Sequence, residues 1–237
     1  MYLNPIIAYG VMRKAMALVL SLLVCLMLAG CENDEEVIII DQPVSDGIIV
    51  AMGDSLTAGL GVALDKSYPA LLQKKLQEQG LNYRVINGGV SGETSSGARS
   101  RVDWILSMRP DLVILETGAN DGLRGIEPGL IEKNIREIIK AFLDENITVV
   151  LTGMQMVANM GPEYLSAFNR MYPMLAAEFN LKFMPFFLEG VAMQPALNQA
   201  DGIHPNEQGY KIIAENLLPH VEEAIAMRKE DRSNSDR

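Results

Sequence analysis

The chain has 237 residues, 49% hydrophobic and 6% aromatic, enough for one sizeable core and one domain with extras. Its net charge of −10 argues against nucleic acid, whose phosphates call for a basic face. Both cysteines, Cys25 and Cys31, fall in an N-terminal apolar stretch, which leaves the rest without a disulfide or thiolate metal site, and the only imidazoles are His204 and His220.

Arg13 and Lys14 precede the uncharged run "AMALVLSLLVCLMLAG", Ala15 to Gly30. Its 16 residues fall short of the roughly 20 that span a bilayer comfortably. A basic start, an apolar middle and small residues at the end describe a secretory signal over residues 1–30, with an uncleaved membrane anchor as the alternative. The end of the run, Leu28-Ala29-Gly30-Cys31, resembles the lipobox of bacterial lipoproteins. That resemblance implies that Cys31 is lipidated and becomes the first residue of the mature protein. Glu32 stands where resembling lipoproteins use aspartate for inner-membrane retention, which points to the outer membrane. Residues 1–11 carry no charge, so Met12, opening "MRKAMALVL", is an alternative start to Met1. Loss of residues 1–30 removes two positive charges and no negative ones, which takes the balance to −12.

The acidic stretch that follows, residues 31–46, reads as a solvated tether. A domain over 47–227 and a charged tail over 228–237 complete the organisation. Within the domain, Ile48–Met52, Arg84–Asn87, Leu112–Thr117, Thr148–Thr152 and Lys182–Met184 read as strands. Tyr68–Gln79, Thr94–Met108, Pro128–Glu145, Pro162–Phe179 and Asn206–Met227 read as helices, two of them opened by proline. Strand–helix alternation with continuously apolar strands predicts an α/β fold, a three-layer, doubly wound sandwich around a parallel sheet of about five strands. Ligands bind such sheets beyond the carboxyl ends of the strands. "GDSLTAG" follows the first predicted strand, "GGVSGETS" the second and "TGANDG" the third, while "DGIHPNEQG" follows the fifth after a loop. All four segments should meet at one rim.

Ordinary turn and cap chemistry accounts for any one of these segments; four of them, each with a group that nucleophilic catalysis needs, are harder to dismiss. Ser55 in "GDSLTAG" is the candidate nucleophile. His204 sits in a Gly- and Pro-containing loop and is the candidate base, whereas His220 falls in an exposed helical stretch. Asp201, three residues before His204, is close enough to fix its tautomer, although an Asx turn is the everyday use of such a residue. Oxyanion donors are available from the Ser55 N–H at a helix start, the Gly92 N–H and the Asn120 side-chain amide. There is no G-x-S-x-G, since Thr57 takes the last position, and no P-loop, dinucleotide fingerprint or H-E-x-x-H. Neither a metal nor a cofactor is expected.

"GDSLTAG", "GGVSGET", "GAND" and "DGIHP", in that order, resemble the four blocks of the SGNH (GDSL) hydrolases over Gly47 to about Val221. "TGANDGLRGIEP" further resembles the bacterial thioesterase, lysophospholipase and arylesterase branch, which often carries a different residue where Ala119 stands. The resemblance implies a flavodoxin-like SGNH fold, an acyl-enzyme on Ser55, an Asp201–His204 pair and an oxyanion hole of Ser55, Gly92 and Asn120. The implied substrate is a small ester or thioester with an apolar acyl group. Met154, Met156, Val157 and Met160 after the fourth strand, with Leu123 and Ile126 beside Asn120, are candidates to line an acyl groove or to fill the core. An envelope polysaccharide deacetylase and a non-catalytic binding lipoprotein are the competing readings. The deacetylase would need exposed aromatics for sugar stacking, and the binding module would have no use for an intact Ser55, Asp201 and His204.

Overall fold

The structure, a computed structural model, describes residues 45–156 and 160–235. The signal segment, Cys31, tether residues 31–44 and Val157 lie outside the described residues. Five strands, β1 (Gly47–Gly53), β2 (Tyr83–Gly89), β3 (Leu112–Leu115), β4 (Thr148–Thr152) and β5 (Lys182–Met184), form one parallel sheet in the order β2-β1-β3-β4-β5. Burial on both faces explains the apolar runs of the inner strands, since the last five residues of β1, all of β3 and the last four of β4 are buried, while the edge strands β2 and β5 are only partly so.

The order of the strands dictates the layers. Moving from β1 to β2 and then back across β1 to β3 reverses the direction of travel, and right-handed crossovers then place the two connections on opposite faces. Accordingly α2 (Tyr68–Glu78) packs with the last helix, α8 (Glu207–Ser235), on one face. The other face carries α3 (Ser95–Ser100), α4 (Val102–Ser107), α6 (Pro128–Asp144) and α7 (Pro162–Glu178). Helix α6 shows how the sequence secures a layer. Pro128 opens it, the Glu127 side chain accepts from the Leu130 N–H, and Ile131, Ile135, Ile138, Ile139 and Phe142 form one buried stripe. Each such side chain contributes about 1.5–3 kcal/mol on burial. The reversal falls between β1 and β3, the place in such sheets where ligands bind, and two more helices, α1 (Ser55–Ala58) and α5 (Ala119–Leu123), begin at the carboxyl ends of these strands.

Several expectations change in detail, among them the third strand, which ends at Leu115 rather than Thr117. Strand β2 runs from Tyr83 to Gly89 because it pairs with the whole of β1, Gly47 with Tyr83 through Gly53 with Gly89. The single helix expected over 94–108 is broken at Arg101, whose guanidinium reaches Glu93 and the Gly53 carbonyl. Residues 228–235, read as a charged tail, continue α8, and Arg228 and Arg232 both bond Asp111.

Candidate active site

Chain geometry brings Ser55 to the rim through a tight turn. Asp54 caps α1, its Oδ1 accepting from the Leu56 N–H at 2.9 Å, and Gly59 ends the helix in the left-handed region (φ 77°) with its N–H on the Ser55 carbonyl. The turn is crowded. A Cβ on Gly53 would overlap Thr57 Oγ1 and Glu116 Oε2, and one on Gly89 would overlap the backbone of Ala58. Ser55 is left almost buried, at the first position of a helix whose opening N–H groups have no intrahelical acceptor.

Ser55 Oγ lies 2.9 Å from His204 Nε2, and His204 Nδ1 lies 2.7 Å from Asp201 Oδ2. With the Nδ1 proton donated to Asp201, Nε2 is the acceptor of the serine hydroxyl. Asp201 Oδ1 meanwhile accepts from the N–H groups of Ile203 (2.9 Å) and His204 (3.0 Å). The Asx turn and the histidine partner are therefore one carboxylate. The His204 N–H, then the imidazole, then the Ile203 N–H hold its pKa down to about 2. Gln199 secures the loop: its N–H donates to the His204 carbonyl, and its side chain donates to Leu60 and Pro205 carbonyls. His220 lies elsewhere, half-buried on α8 beside Glu223 and Lys182, with burial lowering its pKa.

Asn120 stands in the first turn of α5, after Gly118 at φ 104°. Its amide donates to Asp54 Oδ2 at 2.9 Å, which commits one hydrogen and leaves the second. Gly92 also has a positive φ, 78°, and its carbonyl accepts from Arg124 Nη2 at the end of α5. Asp121 ties these loops together, taking the Ser95 N–H (2.7 Å) and hydroxyl (2.6 Å) in a fully buried contact that Asn134 extends. Glu93 and Arg101 add a bidentate pair at 2.6 and 2.7 Å, and the same guanidinium reaches Gly53 O. Among the candidate acyl-groove residues, Met154 is core, Met156 and Met160 pack near Gly122 and Gly125, Ile126 is partly buried and Leu123 is half exposed.

Sequence reasoning passed over Asp54, Asp121 and Glu116. Glu116 had a signal, a lone acid closing an apolar strand, and it is fully buried. Its carboxyl keeps its proton well above the usual carboxylate range, because of burial and the neighbouring Asp54. Burial raises Asp54 as well, but the Leu56 N–H and Asn120 oppose that, so Asp54 carries the charge of the pair and Glu116 the proton.

Residues 51–212 match the model of the GDSL-like Lipase/Acylhydrolase family. Esterase TesA of Pseudomonas aeruginosa is 38% identical over 195 residues, covering 82% of this chain and 96% of that one. Thioesterase 1/protease 1/lysophospholipase L1 of Escherichia coli K12 is 36% identical over 178 residues, 75% of this chain and 84% of the relative. The crystal structure of TesA superposes with a TM-score of 0.72 at 39% identity, covering 75% of this chain and 99% of that structure. The chain belongs to the GDSL-like lipase/acylhydrolase (SGNH hydrolase) family.

Proposed function

We propose that the chain hydrolyses carboxylic esters or thioesters of apolar acyl groups through an acyl-enzyme on Ser55. The observation that carries this reading is the unbroken relay from Ser55 Oγ through His204 to Asp201. In the proposed cycle Ser55 Oγ attacks the acyl carbon while His204 Nε2 takes its proton, and Asp201 stabilises the imidazolium. The oxyanion of the tetrahedral intermediate receives the N–H groups of Ser55 and Gly92 and the second amide hydrogen of Asn120. Collapse breaks the bond to the alcohol or thiol, which leaves with the proton from His204. Water then attacks the acyl-enzyme by the same route, and the carboxylic acid departs.

Ser55→Ala is expected to lower turnover of p-nitrophenyl esters by up to about a millionfold, with His220→Ala as a silent control. Wild-type activity in the Ser55 variant would remove the mechanism. A series of increasing acyl length, set beside acyl-thioesters, reads out the preference for apolar acyl groups. The proposed setting is the cell envelope: export on the segment 1–30 and anchoring through lipid on Cys31. Mass spectrometry of the membrane-bound protein tests that part separately, since an unmodified Cys31 would end the anchor reading and leave the esterase intact.

A further inference from the structure

Glu116 follows β3 directly, and its backbone N–H donates to Met52 O of β1 at 2.9 Å. Its side chain therefore lies beneath the turn that presents Ser55. There Oε2 accepts from the Asp54 N–H at 3.1 Å and from Thr57 Oγ1 at 2.9 Å, while Thr57 Oγ1 also lies 3.2 Å from Tyr68 OH. These contacts bracket Ser55 on both sides along the chain. They also bear on the oxyanion side, because Asp54 is the residue that holds the Asn120 amide. Glycine at position 53 is what gives the carboxyl room.

We propose that Glu116 is a positioning residue for the nucleophile turn, its buried carboxyl oxygen fixing Asp54 and Thr57 so that Ser55 and Asn120 face the same acyl carbon. The proposal rests on the assignment of Ser55 as nucleophile. The other oxygen, Oε1, is buried with no hydrogen-bond partner among the described residues, a far costlier place for a charge than for a neutral acid. The titratable groups that face Glu116 are Asp54 on the turn, Tyr68 on α2, Tyr172 on α7 and Tyr210 on α8. Their surroundings favour the neutral acid. A neutral acceptor is all the geometry asks for, so an amide can replace the carboxyl and a thioether cannot.

The test compares Glu116→Gln, Glu116→Met and Thr57→Val in the full chain, with p-nitrophenyl butyrate for kcat and KM and a fluorophosphonate for labelling Ser55. Glu116→Gln keeps an acceptor oxygen and should hold kcat within about threefold of wild type, whereas Glu116→Met, of similar volume, should lose about ten- to a hundredfold in kcat with KM nearly unchanged, as small misplacements of reacting groups do. Thr57→Val, which removes one of the two donors, should lose severalfold in kcat and covers the case in which Glu116→Met does not fold. Labelling of Ser55 in Glu116→Met should still reach completion, at a reduced rate. Turnover per labelled serine that equals wild type in Glu116→Met, or in Thr57→Val if the former does not fold, would overturn the proposal and leave Glu116 a structural residue only. Absence of fluorophosphonate on Ser55 in the wild-type protein would instead overturn the nucleophile assignment on which it rests.

Discussion

Asp201 serves two acceptor roles with two oxygens, and substitution can separate them. In Asp201→Asn the side-chain oxygen can still accept from the Ile203 and His204 N–H groups, so the loop should keep its shape. The amide nitrogen would then face His204 Nδ1 as a donor and force the wrong tautomer. We expect kcat to fall by roughly ten-thousandfold with an unchanged circular dichroism spectrum; a loss below tenfold would show that His204 needs no anionic partner. A carboxylate with a depressed folded-state pKa stabilises above its unfolded value, near 3.9, and loses that contribution as the pH falls. For Asp201 the loss is complete only below about 2, and solvent screening keeps its size small at this exposed position. Asp201 is therefore charged throughout the working range. Asn120→Ala removes a proposed oxyanion donor and should lower kcat by about a hundred- to a thousandfold with KM little changed; a rise in KM alone would make Asn120 a binding residue. Ser55, Asp201, His204, Gly92 and Asn120 were legible in the sequence as candidates because each sits in a short polar block after a strand, and the fold brings Ser55, His204 and Asp201 into hydrogen-bond contact. Glu116 and Asp121 were not legible, since the importance of a buried carboxyl group depends on which distant N–H it meets.

Among the elements, legibility followed length and burial. Strands β1, β3 and β4 announced themselves because burial on both faces demands unbroken apolar runs, and α6 because its stripe repeats over 17 residues, whereas the edge strands β2 and β5 are only partly buried and carry polar residues. The helices α1 and α5, of four and five residues, are too short for any periodicity, yet they carry Ser55 and Asn120. The final turns of α8 read as a tail because they are nearly all polar, and ion pairs with Asp111 rather than an apolar stripe hold them. Arg101 marks the remaining difference, a helix broken where a side chain turns away to serve the rim. Its partner Glu93 is almost wholly buried, so Arg101→Ala would strand a charge there. The expected cost is about 3–5 kcal/mol of unfolding free energy, read from urea titration, together with reduced turnover as the Gly92 loop loosens. A change under about 1 kcal/mol, the range of exposed pairs, would mean that the pair contributes no more than a surface one.

At the scale of the whole molecule, the site is assembled from four separate parts of the chain, with Ser55 and His204 149 positions apart. A parallel sheet gathers such distant loops at the carboxyl ends of its strands, and the reversal in its winding sets where they part. The same topology governs where the ends of the domain emerge. Asp46 bonds Asn82 at the amino ends of β1 and β2, and α8, which starts just after the His204 loop, ends with Arg228 and Arg232 against Asp111 ahead of β3. Helix α8 spans about 43 Å, so both ends of the described domain leave from the pole opposite the serine. A bulky cargo joined after Arg237 should therefore leave kcat/KM on short soluble esters within about twofold of the unfused protein, and a larger drop would place the end of α8 nearer the rim than these contacts allow. For immobilisation, beads, electrodes or display scaffolds can therefore take hold of the domain at residue 45 or at the end of α8 while the Ser55 rim stays turned toward the substrate.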